Sequence, residues 1–298
     1  MLVYGDHDER VDSRERLRTI AADLRHLRCM APGLARHSAL VSTLIEAGRL
    51  QQGLADAGFD NVDRVVGAEK PMRHFVHALA KAGVTSWDSS AADTGELPEV
   101  PDLTGAPKEV TLRFPEGFAF YAVYPEAFAD AARALVLQAP PRVIGIRSIG
   151  TTLGAVVAAA LDAPPAVTLR PFGDPSARQV ALSDELAALL LGGPAHFIVV
   201  DEGPGLSGSS FGAVIDWLRA RGVPLDHIAV LPSHSGPPGP SGSEVHREQW
   251  RQVQRVPADL SPRFPDLLRN WLAELLGPPR RSARRFFRRA MAALGISK

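Results

Sequence analysis

The sequence predicts an α/β protein: a mainly parallel sheet flanked by helices, preceded by a helical region at the amino terminus. Three observations carry this expectation. Between residues 109 and 235, short apolar runs alternate with helical patterns, the order that crossover connections and a parallel sheet require. Before residue 88, apolar residues recur at three- and four-residue steps, the period of an amphipathic helix. Between the two, residues 88–108 are polar, contain prolines and show no period, the composition of a linker or long surface loop.

Taken in order, "SRERLRTIAADLRHLRCM" sets Leu17, Ile20, Leu24 and Leu27 along one helical stripe. Pro32 and Gly33 interrupt it, and "LARHSALVSTLIEAGRLQQGLADAGF" resumes the pattern. A third helix is expected over residues 70–83, ended at Gly83. "VTLRF" then reads as a strand, and "FAFYAVY" as an aromatic, alternating one. "PEAFADAARALVLQ" is an amphipathic helix with Pro125 near its start, where the missing N–H removes no hydrogen bond. "RVIGI", "AVTLRPF", "HFIVV" and "HIAVL" are short apolar strands. The helices between them are "GTTLGAVVAAAL", "LSDELAALLLGG" with Ser183 as its cap, and "SSFGAVIDWLRARG". Past Ser233 a Gly/Pro/Ser-rich loop leads to two closing helices, "HREQWRQVQ" and "FPDLLRNWLAELLG". The expected organisation is a helical accessory region over 1–87, a linker over 88–108, an α/β core over 109–235, closing loop and helices over 236–277, and a basic tail over 278–298.

Composition narrows the function classes. The 298 residues are 45% hydrophobic and 22% charged, with Lys+Arg and Asp+Glu both 33, so no overall field draws nucleic acid or an acidic partner. The single cysteine, Cys29, excludes an internal disulfide and reads as a buried helix thiol. The amino-terminal stretch is charged within six residues and lacks an apolar run of signal-peptide type. No apolar run reaches the length of a membrane span. A cytoplasmic protein is expected.

The stretch with most chemistry is "FIVVDEGPGLSGSSF", residues 197–211. A buried strand ends in two acids, Asp201 and Glu202, and a glycine- and serine-rich loop leads into a helix. In an open parallel sheet, ligands sit past the carboxyl ends of the strands. Glycines let backbone N–H groups turn inward, and the helix start adds its positive end. Carboxylates at the strand tip with amides beyond them match hydroxyls or a metal at one end of a ligand and a phosphate at the other, as in a sugar phosphate. Adjacent acids repel, and one pKa rises unless hydroxyls or Mg²⁺ neutralise the pair. Three other readings stay open. The spacing approaches a triphosphate loop, but Ser209 stands where lysine is required. "GLSGS" approaches a nucleophile elbow, with Ser207 as nucleophile and His234 as base, yet the final glycine is missing. The third is an acidic turn that binds nothing.

These residues are similar to the phosphoribosyl-diphosphate-binding motif of type I phosphoribosyltransferases. "VIGIRSIGTTLGAVVAAAL" resembles the family's strand, pyrophosphate loop and helix, and "VTLRPFGDPSARQVAL" takes the place of its flexible catalytic loop. The resemblance covers residues 110–235. It implies that Asp201 and Glu202 hold the ribose hydroxyls, directly or through Mg²⁺. It also implies that Gly205, Leu206, Ser207, Gly208, Ser209 and Ser210 wrap the 5-phosphate, and that Arg147, Ser148, Ile149 and Gly150 form the pyrophosphate loop. Arg170 and Arg178 would be mobile cations closing over the diphosphate. The activity implied is transfer of phosphoribose to a nucleophile, and the alternative is a ribose-phosphate-binding regulator on the same fold. The segment between the acids and the Ser-Gly pair is one residue longer than the family's usual pattern, and it contains Pro204, which has no N–H.

The remaining features are less specific. Phe118, Phe120, Tyr121 and Tyr124 read as core packing of an alternating strand, with stacking on a base as the other possibility. His26, His37, His74 and His77 read as surface or cap residues, and no zinc spacing is present. The amino-terminal helices are a candidate surface for a protein partner. The tail carries six arginines between 280 and 289 beside Phe286 and Phe287, a pattern compatible with weak contact to anionic lipid or RNA, or with a solvated tail.

Overall fold

A computed structural model describes residues 8–263 and 265. Strand β1 (Glu9–Asp12) leads directly into helix α1 (Ser13–Cys29), whose first N–H groups are capped by the Asp12 carboxylate at 2.9 and 3.0 Å. Ile20, Leu24 and Leu27 are buried along the expected stripe. Helix α2 (Leu34–Ala57) starts after Gly33, and α3 (Glu69–Asp88) runs past Gly83. Leu40, Leu44, Leu50, Leu54, Met72 and Leu79 close the core of this helical layer. Strand β2 (Glu109–Leu112) is the predicted "VTLRF" strand, but it pairs antiparallel with β1 and lies outside the main sheet.

The aromatic stretch departs from expectation. It forms a short helix, α4 (Glu116–Phe120), and a turn through Ala122 at φ 50°. Pro115 and Pro125 bracket it, and Tyr121–Tyr124 border the cleft described below.

Helix α5 (Pro125–Arg133) follows, and then the parallel sheet: β3 (Pro141–Ile146), β4 (Val167–Leu169), β5 (His196–Val200), β6 (Ile228–Leu231) and the two-residue β7 (Gln254–Arg255). Their spatial order is β4-β3-β5-β6-β7, every pair parallel. All five residues of β5 are buried, as a strand covered on both faces requires. Side chains alternate between the faces. Val143, Ile198, Val200 and Leu231 meet α5 and α6 (Gly150–Ala160). Ile144, Ile146, Val199 and Val230 meet α7 (Asp184–Leu191) and α8 (Ser209–Arg219). Helix α9 (Glu244–Gln252) packs beside α8, with Trp250 edge-on to Phe211 at 5.3 Å.

The helical layer and the sheet are joined through α6. Its residues from Gly150 to Ala159 are all buried, because α2 and α3 cover the side that α5 and the sheet do not. Gly48 of α2 lies so close to Thr152 that a Cβ there would collide with the threonine side chain. The 93–108 stretch has no helix or strand, yet it buries Leu103 and Ala106 in the helical core. Three smaller expectations are corrected. Cys29 ends α1 and is exposed. His37 is buried between the Ser86 hydroxyl (2.8 Å) and the Glu126 carboxylate (3.0 Å). His77 is buried too, and its burial, with Lys81 nearby, pushes its pKa down to about 4. Among the described residues no helix is long and apolar enough to cross a membrane. The expected second closing helix, Pro265 apart, and the 278–298 tail lie outside the described residues.

Candidate functional site

The chain leaves β3 toward β4 on one side, while β5 and β6 lie on the other. Successive crossovers therefore diverge at the carboxyl ends of β3 and β5, the place where open α/β sheets form a crevice. A cleft of about 1190 Å³ lies there. The turn after β3 contributes Arg147, Ser148 and Ile149, and the turn after β5 contributes Asp201, Glu202, Gly203 and Gly205. Arg170 and Arg178 line it from the segment after β4. Gly150, Leu206, Ser207, Gly208, Ser209 and Ser210 do not line it. Gly150 is instead pressed against β5, where a Cβ would come 2.6 Å from the Val200 carbonyl oxygen, and Leu206 is 70% exposed.

The acids sit where β5 ends. Asp201 accepts the N–H of Glu202 at 2.8 Å. Burial, reinforced by the Glu202 charge, pushes its pKa up to about 7 against the pull of Arg178 and Arg170. Glu202 is also raised, by burial and then by Glu116. The pair is thus short of positive charge. Protons, hydroxyl donors or a cation would relieve it.

Two of the expected ligand cations, Arg147 and Arg170, line the cleft but are engaged in ion pairs with the protein's own carboxylates. Arg147 donates to Asp56 at 2.9 Å, to the Thr168 carbonyl at 3.2 Å and to Asp63, with its side chain 3% exposed. Arg170 donates to both oxygens of Asp56 and to the Arg147 carbonyl at 3.0 Å. Burial raises the Asp56 carboxyl, but the Arg170 and Arg147 charges outweigh it and hold the pKa below the usual range. At Asp63 burial wins and the pKa is raised. Arg178 is half-buried and has no ion pair or hydrogen bond among the described residues. No sequence signal pointed to Asp56 or Asp63, because each reaches its arginine across more than eighty residues of chain.

Asp63 also fixes the segment after β4 at both ends. Its carboxylate accepts the Arg170 N–H, its own N–H donates to Ala181 and its carbonyl accepts from Ser183, each at 2.8 Å. Between these anchors Phe172 and Gln179 exchange two backbone hydrogen bonds of 2.9 Å, which makes an arm with its tip at 173–178. The arm rests on the start of α8: the Ser207 and Ser209 hydroxyls lie 2.7 and 2.6 Å from the Pro175 carbonyl as donors. These serines therefore meet the arm where a phosphate was expected. The Ser207 hydroxyl makes no hydrogen bond to His234 among the described residues, and no elbow geometry forms.

The loop before α8 retains unused donors. Gly205 and Gly208 have φ of 56° and 68°, and Gly208 N–H donates to Pro204 at 2.6 Å. Among the described residues the N–H groups of Gly205, Leu206, Ser207 and Ser210 have no acceptor. Tyr121 and Tyr124, 49% and 48% exposed, border the cleft rather than packing inside a strand. For Mg²⁺ the donor set is two adjacent carboxylates. The ion usually takes one or two of these and completes its shell with water and substrate oxygens, so the pair fits a cation shared with a ligand. Among the described residues no group of three or more His, Cys, Asp or Glu is placed to hold a metal by itself.

No family model matches the chain, and no match is found among curated proteins.

Proposed function

We propose that the protein is a phosphoribosyltransferase-like enzyme of the type I class that binds phosphoribosyl diphosphate, or a related ribose phosphate, with Mg²⁺ and transfers phosphoribose to a small nucleophile. One observation carries this reading. At the order reversal of a parallel sheet, two charge-starved carboxylates share a cleft with the turn after β3 and with Gly205, whose N–H has no acceptor among the described residues and which opens a glycine loop. The acids would accept hydrogen bonds from the ribose hydroxyls, and the loop would donate to the 5-phosphate. Mg²⁺, held by Asp201 and Glu202 together with the ligand, would supply charge stabilisation to the departing diphosphate. Arg178, uncommitted on the arm, would close on the same group and help exclude water.

The commitment of Arg147 and Arg170 to Asp56 and Asp63 favours a second reading, a regulator that binds the ligand without turnover. Less cationic charge is then left for a leaving diphosphate. Calorimetry with phosphoribosyl diphosphate and Mg²⁺ tests the common part. The wild type should bind, and Asp201→Asn/Glu202→Gln should bind at least tenfold more weakly. Equal binding by both, or by neither, rejects the site. Exchange of labelled pyrophosphate into the bound sugar separates enzyme from regulator.

A further inference from the structure

His234, just past the end of β6, lines the same cleft as Asp201, Glu202 and Gly205. Its ring is oriented by a backbone contact: Nδ1 accepts the N–H of Gly236 at 3.1 Å. An imidazole nitrogen that accepts a hydrogen bond carries no hydrogen, so the neutral ring has its proton on Nε2. That atom lies over Gly203. A Cβ at residue 203 would sit 2.8 Å from Nε2, and one at Gly236 would sit 3.0 Å from Nδ1. Neither glycine has a positive φ. Their lack of a side chain is explained by the ring they flank, not by the turn they form.

We infer that His234 is a ligand-contact residue whose Nε2–H donates to a phosphoryl oxygen of the bound ribose phosphate. The inference rests on the ribose-phosphate reading above. Gly203 separates the two acids from the 205–210 loop. The acids accept and so complement sugar hydroxyls, whereas a donor on this stretch complements the acceptor-only oxygens of a phosphoryl group. Among the other side-chain donors nearby, the guanidinium groups of Arg147 and Arg170 are committed to carboxylates and the Ser207 and Ser209 hydroxyls to Pro175, which leaves Arg178 and the loop N–H groups to share the phosphoryl oxygens with His234.

The test is titration of the full chain with ribose 5-phosphate, in wild type, His234→Ala and His234→Gln, alongside long-range proton–nitrogen correlation of the histidine rings. Removing one hydrogen bond to a charged acceptor should weaken binding about tenfold in His234→Ala. His234→Gln keeps an N–H at similar reach and should stay within about threefold of wild type. All three should melt alike, because the ring is exposed. The spectrum should place the proton on Nε2 and move that resonance when the ligand is added. Undiminished binding by His234→Ala, or a proton on Nδ1, overturns the inference while leaving the ribose-phosphate reading intact. No binding by the wild type overturns both.

Discussion

The turns that follow β3 and β5 stand side by side at one sheet edge and handle charge in opposite ways. After β3, Arg147 is buried and tied to Asp56 and Asp63, and Gly150 leaves no space above Val200. After β5, Asp201 and Glu202 have no ion-pair partner among the described residues and their pKa values rise, while Gly205 and Gly208 in the loop that follows hold left-handed backbone. The first turn is completed by the protein itself. The second is left incomplete, and incompleteness at a cleft is what a ligand corrects.

The largest expected effect lies in the completed turn. Asp63→Ala leaves the buried Arg147 guanidinium short of a partner and should destabilise folding by about 3–5 kcal/mol. Glu202→Gln should change stability by less than about 1 kcal/mol while weakening ligand binding. Denaturant unfolding of both checks the contrast, and similar losses would erase it.

Next comes the pH dependence of Asp201. Its pKa is raised to about 7 in the folded chain from 3.8. Protonation therefore favours folding: the contribution is complete below pH ~4 and is lost as pH climbs to about 7. Asp201→Asn should remove that slope and gain about 2 kcal/mol over wild type at pH 8, discounted for the open cleft, with no gain at pH 4. A difference independent of pH would mean that the carboxyl is not desolvated.

The glycines sharpen the comparison further. Gly150→Ala forces a Cβ onto the Val200 carbonyl and should cost about 1–3 kcal/mol. Gly205→Ala meets nothing within 4 Å and should cost about 1 kcal/mol through its φ of 56° alone. Thermal melts of the two variants should rank them in that order. The smallest effect belongs to Ser207→Ala/Ser209→Ala. It removes the contacts to Pro175 and should change global stability by about 1 kcal/mol or less, yet raise protease cleavage within 173–178 severalfold. Unchanged cleavage would show that the serines do not hold the arm down.

Much of the fold was legible because its elements carry strong periods. The stripe in α1, the apolar runs of β5 and β6, and the Ser183 cap of α7, which accepts from Leu186 at 3.3 Å, all stand in the sequence. What stayed hidden had a non-local cause. The β1 strand "ERVD" has no apolar run and exists because β2 offers it an edge. The "FAFYAVY" stretch alternates like a strand but forms α4 and a turn between Pro115 and Pro125.

For the site, the same division applies. The sequence alone determined that two acids end a buried strand and that glycines and serines follow. The arginines it singled out, Arg170 and Arg178, lie in the segment between β4 and α7, ahead of those acids. Those are local patterns, and local patterns follow from the spacing of residue types along a chain. Only the tertiary structure decided which charges remain available. Asp56 and Asp63, far away in sequence, claim Arg147 and Arg170, whereas Arg178 and His234 keep open positions at the cleft. An ion pair depends on distance and burial in three dimensions, and neither is written in the order of the residues.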